Sequence, residues 1–365
     1  MVYQVARRAS PQTHHYLRNA ESAVLYGQEV ARVAMRLRHN GFKPDLIVGH
    51  SGWGEILFLK DIYPEVPLVG YFEYYYHLHK GDVGFNPDEP VTADTAPRLR
   101  ARNTVNLLSL SAADAGITPT RWQQSLYPEP YRERLHVLHE GVDTARLRPN
   151  PTASFQIPGT SITLRAGDEV LTYIGRNLEP HRGFPSFMRS LPEILRSRPQ
   201  AQVLVIGGDG VSYGAPPATG GSWKDLMLKE IGDSLDLTRV HFLGRVPYSH
   251  FISILALSRA HIYLTYPFVL SWSMLEAMAS GCVVIGSSTP PVEEVIRDGD
   301  NGLLVDFFSY QQIANRAIQV LAEPEAFAAL RARARQTIVE RYDLHSVCLP
   351  AQLTMLDQAR NSLAT

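Results

Sequence analysis

The chain has 365 residues, 45% of them hydrophobic and 19% charged, with a formal net charge of −1. That length holds one large or two ordinary globular domains, each able to bury a core, and the near-neutral balance argues against a nucleic-acid partner. Two cysteines, Cys282 and Cys348, make no disulfide framework, and no apolar run approaches the roughly 18 residues of a membrane span, so the expected location is cytoplasmic. The opening MVYQVARRASPQ has no apolar stretch after its arginines and is not read as a signal peptide.

In chain order, 20–38 has a helical apolar period. Strand-like runs follow at 45–50 (DLIVGH) and 67–75 (PLVGYFEYY), then helices at 93–110 and, more weakly, 121–126. RLHVLHEGVD (134–143) reads as a strand and a turn, and the Pro-, Thr- and Ser-rich 149–168 as a linker or edge hairpin. A second alternation then begins. It has strands at 169–176, 202–208, 240–246, 261–267, 282–286 and 302–306. Helices are expected at 184–197, 223–231, 250–257, after 270 and at 292–296, and the chain is mostly helical from Tyr310. Strands alternating with helices predict parallel sheets covered on both faces, an α/β fold of two Rossmann-like domains. The expected division is 1–145 and 146–345, with a C-terminal helix 346–365 joining the first domain. Ligands in such sheets bind beyond the carboxyl ends of strands, so the strand-to-helix turns are where chemistry is sought.

Three turns stand out. In SMLEAMASG (273–281), Ser273 and Glu276 have capping-box spacing, which would make the glutamate a helix cap and nothing more. The same helix start also favours an anion, and a carboxylate there can reach a ribose hydroxyl. In YIGRNLEPHRGF (173–184), Arg176 and Arg182 flank one turn, as a diphosphate clamp would; the plain alternative is two solvated surface arginines. IGGDG (206–210) ends a strand in glycines, Gly208 and Gly210 among them, where backbone approaches a ligand or another element. Gly141 in HEGVD is a similar case.

Together these segments resemble the retaining glycosyltransferases of family 4, whose GT-B architecture has two Rossmann-like domains with parallel sheets facing a central cleft. The second-domain pattern G-R-x-x-x-x-K-G corresponds to GRNLEPHRG, with Arg182 in the lysine's place. VIGGDG, FLGRV (242–246) and LEAMASG (275–281) follow in the family's order. The likeness covers 134 to about 345 well and the N-terminal part more loosely, through PDLIVGH and HEGVD. It implies a nucleotide diphosphate sugar as donor, with Arg176 and Arg182 neutralising the leaving diphosphate, where fixed cations stabilise developing charge. It also implies Glu276 on the ribose, the backbone at Arg245 and Val246 on the base, and the N–H groups of Leu270, Ser271, Ser273 and Met274 on the phosphates. No cofactor and no metal are expected, because the arginines would serve the metal's purpose.

The sequence departs from the family pattern at three places. The first carboxylate of the Glu-x7-Glu motif is Phe268, which either stacks on a sugar face or belongs to the core. The histidine usual after the central N-terminal strand is replaced by Glu73, a candidate base or acceptor-orienting group. His50 and Glu55 in GHSGWGE and Tyr74 in the YYYHLHK cluster are further acceptor-side candidates, each with a structural alternative. Finally, the first strand-loop-helix of the N-terminal domain is expected to be missing, and a homo-oligomer would cover the edge so exposed. Segment 31–43 is basic and amphipathic; a solvated helix face is favoured over weak association with the inner membrane surface.

The favoured function is transfer of a sugar from a UDP- or GDP-sugar to a glycan or glycoconjugate, as in polysaccharide biosynthesis. A non-catalytic nucleotide-sugar binder or assembly subunit is the alternative, ahead of a nucleotide-sugar epimerase.

Overall fold

The computed structural model describes residues 2–361, which divide into two compact units. The first unit comprises residues up to Glu140, the short segment Pro267–Val269 and the chain from Cys348; the second comprises Gly141–Tyr266 and Leu270–Val347. Phe268, expected among the donor contacts of the second domain, therefore groups with the first.

The first unit is built on four short parallel strands, β1 (Ile47–His50), β2 (Leu68–Tyr71), β3 (Ala115–Thr118) and β4 (Leu135–Val137), side by side in chain order. The helix Arg18–His39 precedes β1, and no strand does so among the described residues. It buries Ala23, Gly27, Ala31 and Ala34, small side chains that let its backbone approach the turn before Ile56. A Cβ on Gly54, at φ +97°, would sit 2.3 Å from the Ala23 carbonyl oxygen, so only glycine fits. The last helix, Leu349–Asn361, packs Met355 and Ala359 on Val69 and Ile117; the expected residues 362–365 lie outside the described ones. β1 lies at the sheet edge with Val48 53% exposed.

Two expectations change here. The predicted strand 67–75 stops at Tyr71, and the predicted helix 93–110 is two helices, Thr95–Arg102 and Thr104–Ala112. Beyond Tyr71 the carbonyls of Glu73 and Tyr74 are taken by the side chains of Gln123 and Asn106, and Asn103, at the helix break, donates its Nδ2 to the Tyr76 carbonyl (2.8 Å) and accepts the Tyr76 N–H (2.9 Å).

In the second unit an antiparallel hairpin, β5 (Ser154–Gln156) and β6 (Thr163–Arg165), occupies the stretch left as linker or hairpin. Then comes a six-stranded parallel sheet: β7 (Val170–Asn177), β8 (Gln202–Gly208), β9 (Val240–Gly244), β10 (Ala260–Tyr263), β11 (Val283–Ser287) and β12 (Leu303–Val305). Its spatial order is β9-β8-β7-β10-β11-β12. The chain winds outward from β7, returns to the middle, and winds the other way from β10, so β7 and β10 bound the crevice where doubly wound sheets hold ligands. The helices Phe184–Ser197 and Trp223–Ile231 coincide with the sequence expectation. The strands are apolar on both faces because helices cover both: Leu171, Tyr173, Val203, Val205, Ile262 and Ile285 are at most 1% exposed. Each such side chain contributes roughly 1.5–3 kcal/mol relative to exposure. No helix of the described residues is long and apolar enough to cross a membrane.

Candidate functional site

The carboxyl ends of β7 and β10 carry a cluster of polar side chains. After β7 the chain makes a short 3-10 turn, Pro180–Arg182, closed by Gly183 at φ +68°. A Cβ there would lie 2.3 Å from that of buried Leu264, so the turn depends on glycine. The turn holds five residues between Arg176 and Arg182, one more than the G-R-x-x-x-x-K-G pattern. The two arginines differ sharply: Arg176 is exposed, whereas Arg182 is only 7% exposed, so the alternative of two solvated surface arginines does not hold. Arg182 donates to Thr265 Oγ1 just after β10 (2.7 Å), lies 3.5 Å from the hydroxyl of Tyr263 at the end of β10, and has the Tyr213 ring 5.2 Å away. Burial disfavours its charge, but the neighbouring Tyr263 and Tyr213 outweigh this and its pKa is raised. The guanidinium is a fixed cation in a largely desolvated place.

Glu179, in the same turn, is fully buried. Its carboxylate accepts from the backbone N–H of Ser212 (3.0 Å), Tyr213 (3.0 Å) and Gly214 (3.2 Å). Asn177 adds a bond from Nδ2 to Ser212 Oγ (2.7 Å). The glycines ending β8 are needed for this approach: a Cβ on Gly208 would meet Asn177 Oδ1 at 2.6 Å, and one on Gly207 would meet Leu178 at 2.7 Å. The Arg245 Nε lies 3.4 Å from that Gly208 position, so an exposed cation covers the glycine turn. Gly210 is not crowded in this way, and the adjacent Val246 packs into the apolar cluster under the hairpin.

The helix after β10 corrects the capping-box expectation. It runs Trp272–Ser280 and its N-cap is Ser271, whose Oγ accepts the Ser273 N–H (3.4 Å). Glu276 is thus the fifth helical residue, a turn beyond reach of the cap, and accepts from the Tyr248 hydroxyl at 3.0 Å instead. Burial raises the Glu276 pKa, with the Tyr248 hydrogen bond opposing; Tyr248 itself is pushed up to about 12 by burial and by Glu276. Arg146 lies 5.3 Å from the Tyr248 ring centroid. Of the expected phosphate-binding amides, that of Ser271 already donates to the Tyr263 hydroxyl (2.7 Å) and that of Ser273 to the cap. Leu270 and Met274 have their side chains in the core beneath.

In the first unit the carboxyl ends of β1 and β2 bring His50 and Glu73 together, Nε2 to Oε2 at 3.6 Å. The Gly52 N–H donates to His50 Nδ1 (2.9 Å), so a neutral ring carries its proton on Nε2, facing the carboxylate. Glu73 is held through its backbone: the buried Gln123 donates to its carbonyl at 2.5 Å, and Asn106 does the same for Tyr74 at 3.0 Å. Trp53 stands 66% exposed beside His50. Glu55 turns away from this pair and accepts from the Tyr3 hydroxyl (2.9 Å). Tyr74 is buried, bonded to Asp82 and to the Pro267 carbonyl (both 3.1 Å), so it is not an open acceptor-side group. Phe268, 7% exposed, packs on it at 4.6 Å between ring centroids, which favours the core reading of that residue over stacking on a sugar. Sequence reasoning missed Glu179, Tyr213, Tyr248, Thr265 and Gln123. Glu179 lay inside the quoted arginine turn; the others had no local signal, because their partners are distant in the chain.

Two family models match the chain: the glycosyl transferase family 4 group over residues 1–147 and the glycosyl transferases group 1 over 160–337. The D-inositol 3-phosphate glycosyltransferase of Rhodococcus jostii is 27% identical over 204 residues, 55% of this chain and 42% of that protein. The phosphatidyl-myo-inositol mannosyltransferase of Mycolicibacterium smegmatis is 30% identical over 184 residues, 49% of this chain and 42% of that one. The matched segment thus spans less than half the length of these relatives. Among solved structures, sucrose-phosphate synthase of Thermosynechococcus elongatus has TM-score 0.70 and 18% identity, covering 97% of this chain and 82% of its own. Anabaena HepE in complex with UDP-glucose has TM-score 0.64 and 19% identity, covering 93% and 83%. At such identities the structures speak for the fold alone, and the α/β class expected from the strand-helix alternation holds. With both models matching in sequence along the chain, the protein belongs to the family 4 glycosyltransferases and has the GT-B fold.

Proposed function

We propose that the protein transfers a sugar from a nucleotide diphosphate sugar, UDP- or GDP-linked, to a glycan or glycoconjugate acceptor, with retention of anomeric configuration and without a metal ion. The observation that carries this reading is Arg182, a buried guanidinium fixed by Thr265 and Tyr263 at the crevice between β7 and β10. A cation held in a desolvated place costs no reorganisation when negative charge develops on the departing diphosphate. Exposed Arg176 and Arg245 supply mobile positive charge at the same end of the sheet. Glu276 accepts a hydrogen bond and stands one turn into the adjacent helix, which suits a ribose hydroxyl. When the anomeric carbon–oxygen bond breaks, the electron pair leaves with the diphosphate, and the acceptor oxygen bonds to the same carbon and loses its proton. On the acceptor side the His50–Glu73 pair supplies a carboxylate to orient that hydroxyl. UDP-glucose bound to HepE supports the donor class.

The test is calorimetric titration of UDP and of GDP, each with and without magnesium, against wild type and Arg182→Ala. One nucleotide should bind irrespective of magnesium, and the variant should lose about ten- to a hundredfold in affinity, a charge-assisted bond being worth ~1.5–3 kcal/mol. Binding of neither nucleotide by folded wild type sinks the donor reading. The buried Phe268 in place of the family's first carboxylate favours a second reading, a nucleotide-sugar binder without transfer. Release of nucleotide from the bound sugar donor, with or without an acceptor, separates the two.

A further inference from the structure

Glu179 is a carboxylate at zero exposure that the proposed chemistry does not use. Its partners are three successive backbone amides, Ser212, Tyr213 and Gly214, with Ser212 shared between both oxygens at 3.0 and 3.1 Å. Such convergence is what makes a buried carboxylate tolerable. It also holds the conformation of a Gly- and Pro-rich stretch. Asn177 and Trp223 complete the anchoring, the indole donating to the Ala215 carbonyl at 3.0 Å. The loop so held presents Tyr213 over the Arg182 guanidinium and toward His181, whose ring stacks on Tyr266 at 4.5 Å. One seven-residue stretch, Arg176 to Arg182, therefore carries both arginines and the anchor of the loop that covers Arg182.

We propose that Glu179 is a positioning residue: it locks the 212–214 loop so that Tyr213 walls the diphosphate end of the donor site and keeps Arg182 aligned. This rests on the donor reading above. Glu179→Gln preserves size but offers one acceptor oxygen and turns an NH₂ toward amides that are themselves donors. The loop should then loosen while the sheet stays intact.

Two readouts decide it, with UDP and UMP as probes, or GDP and GMP if guanine is the base that binds. In Glu179→Gln, amide hydrogen exchange in a peptide spanning 211–215 should rise at least tenfold while β7 and β10 peptides keep their protection. Affinity for the diphosphate should fall at least tenfold and for the monophosphate less than twofold. Tyr213→Ala, at a partly exposed position that leaves the carboxylate in place, should show the same selective loss; it decides the matter if Glu179→Gln does not fold. Unchanged exchange overturns the proposal, as does a loosened loop with wild-type diphosphate affinity. Equal loss of both nucleotides also overturns it, since that marks a folding role. Wild type binding neither nucleotide refutes the donor reading instead, a result visible before any variant is made.

Discussion

His261, in the middle of β10, is fully buried and makes the second unit sensitive to acid in a calculable way. Its Nδ1 lies 2.8 Å from Thr172 Oγ1, which lies 2.7 Å from Ser258 Oγ, and that hydroxyl donates to the Ala260 carbonyl at 2.9 Å. The carbonyl can only accept, so the donors run in one direction: Nδ1–H to Thr172, Thr172 to Ser258, Ser258 to the backbone. The lone pair of Nε2 then faces the core with no partner. A proton added there would be a buried charge, and burial holds the imidazole down to about 3, against an ordinary 6.5. The folded-state value is depressed, so the unfolded chain binds the proton first, and stability is lost as pH falls below 6.5. At pH 5 the loss is about 2 kcal/mol, set almost wholly by the unfolded-state value. That corresponds to roughly 0.7–1 M in urea midpoint for a slope of about 2–3 kcal/mol/M. Other groups titrate in the same range, so the informative quantity is a difference. His261→Asn keeps a donor toward Thr172 and has no proton to gain. Urea unfolding of wild type and variant at pH 7 and pH 5 should show the wild-type midpoint falling further, by that amount. Midpoints that fall in parallel would refute the buried neutral imidazole.

Gly183→Ala should lower stability by about 2–4 kcal/mol, from the left-handed backbone cost and the clash with Leu264, measurable as a drop in urea midpoint. Asn106→Ala leaves the Tyr74 carbonyl without that buried donor and should cost ~1–3 kcal/mol, read the same way. Glu276→Gln should weaken nucleotide binding roughly tenfold with little change in unfolding midpoint, since its one bond, from Tyr248, survives in the amide; an unchanged affinity in calorimetry would remove Glu276 from the ribose. Glu73→Gln should cut transfer at least a hundredfold while leaving nucleotide affinity within twofold, an expected signature of an acceptor-side group.

The elements and their order were legible in the sequence because apolar period and Gly or Pro punctuation are local properties. Phe184–Ser197 and Trp223–Ile231 start and stop where the pattern does, and the doubly wound alternation directed attention to the right turns. What misled was also local: Ser273 and Glu276 have the spacing of a capping box, but the cap is Ser271 and the helix begins two residues earlier than that spacing implies, and spacing cannot say which serine is the cap. The strand expected through Tyr75 ends at Tyr71, and beyond it the side chains of Asn106 and Gln123, thirty-two and fifty residues on, take the Tyr74 and Glu73 carbonyls. Arg176 and Arg182 looked equivalent in sequence; only the folded turn exposes one and buries the other under Tyr213. Glu179 was indistinguishable from a surface glutamate until the three amides it binds, thirty-three to thirty-five residues away, were brought to it. Sequence pattern therefore determined which elements form, their order and which faces are buried, since those follow from each segment's own side chains. Charge burial, hydrogen-bond direction and the choice of anchor are properties of groups distant in the chain, and the tertiary structure alone decided them.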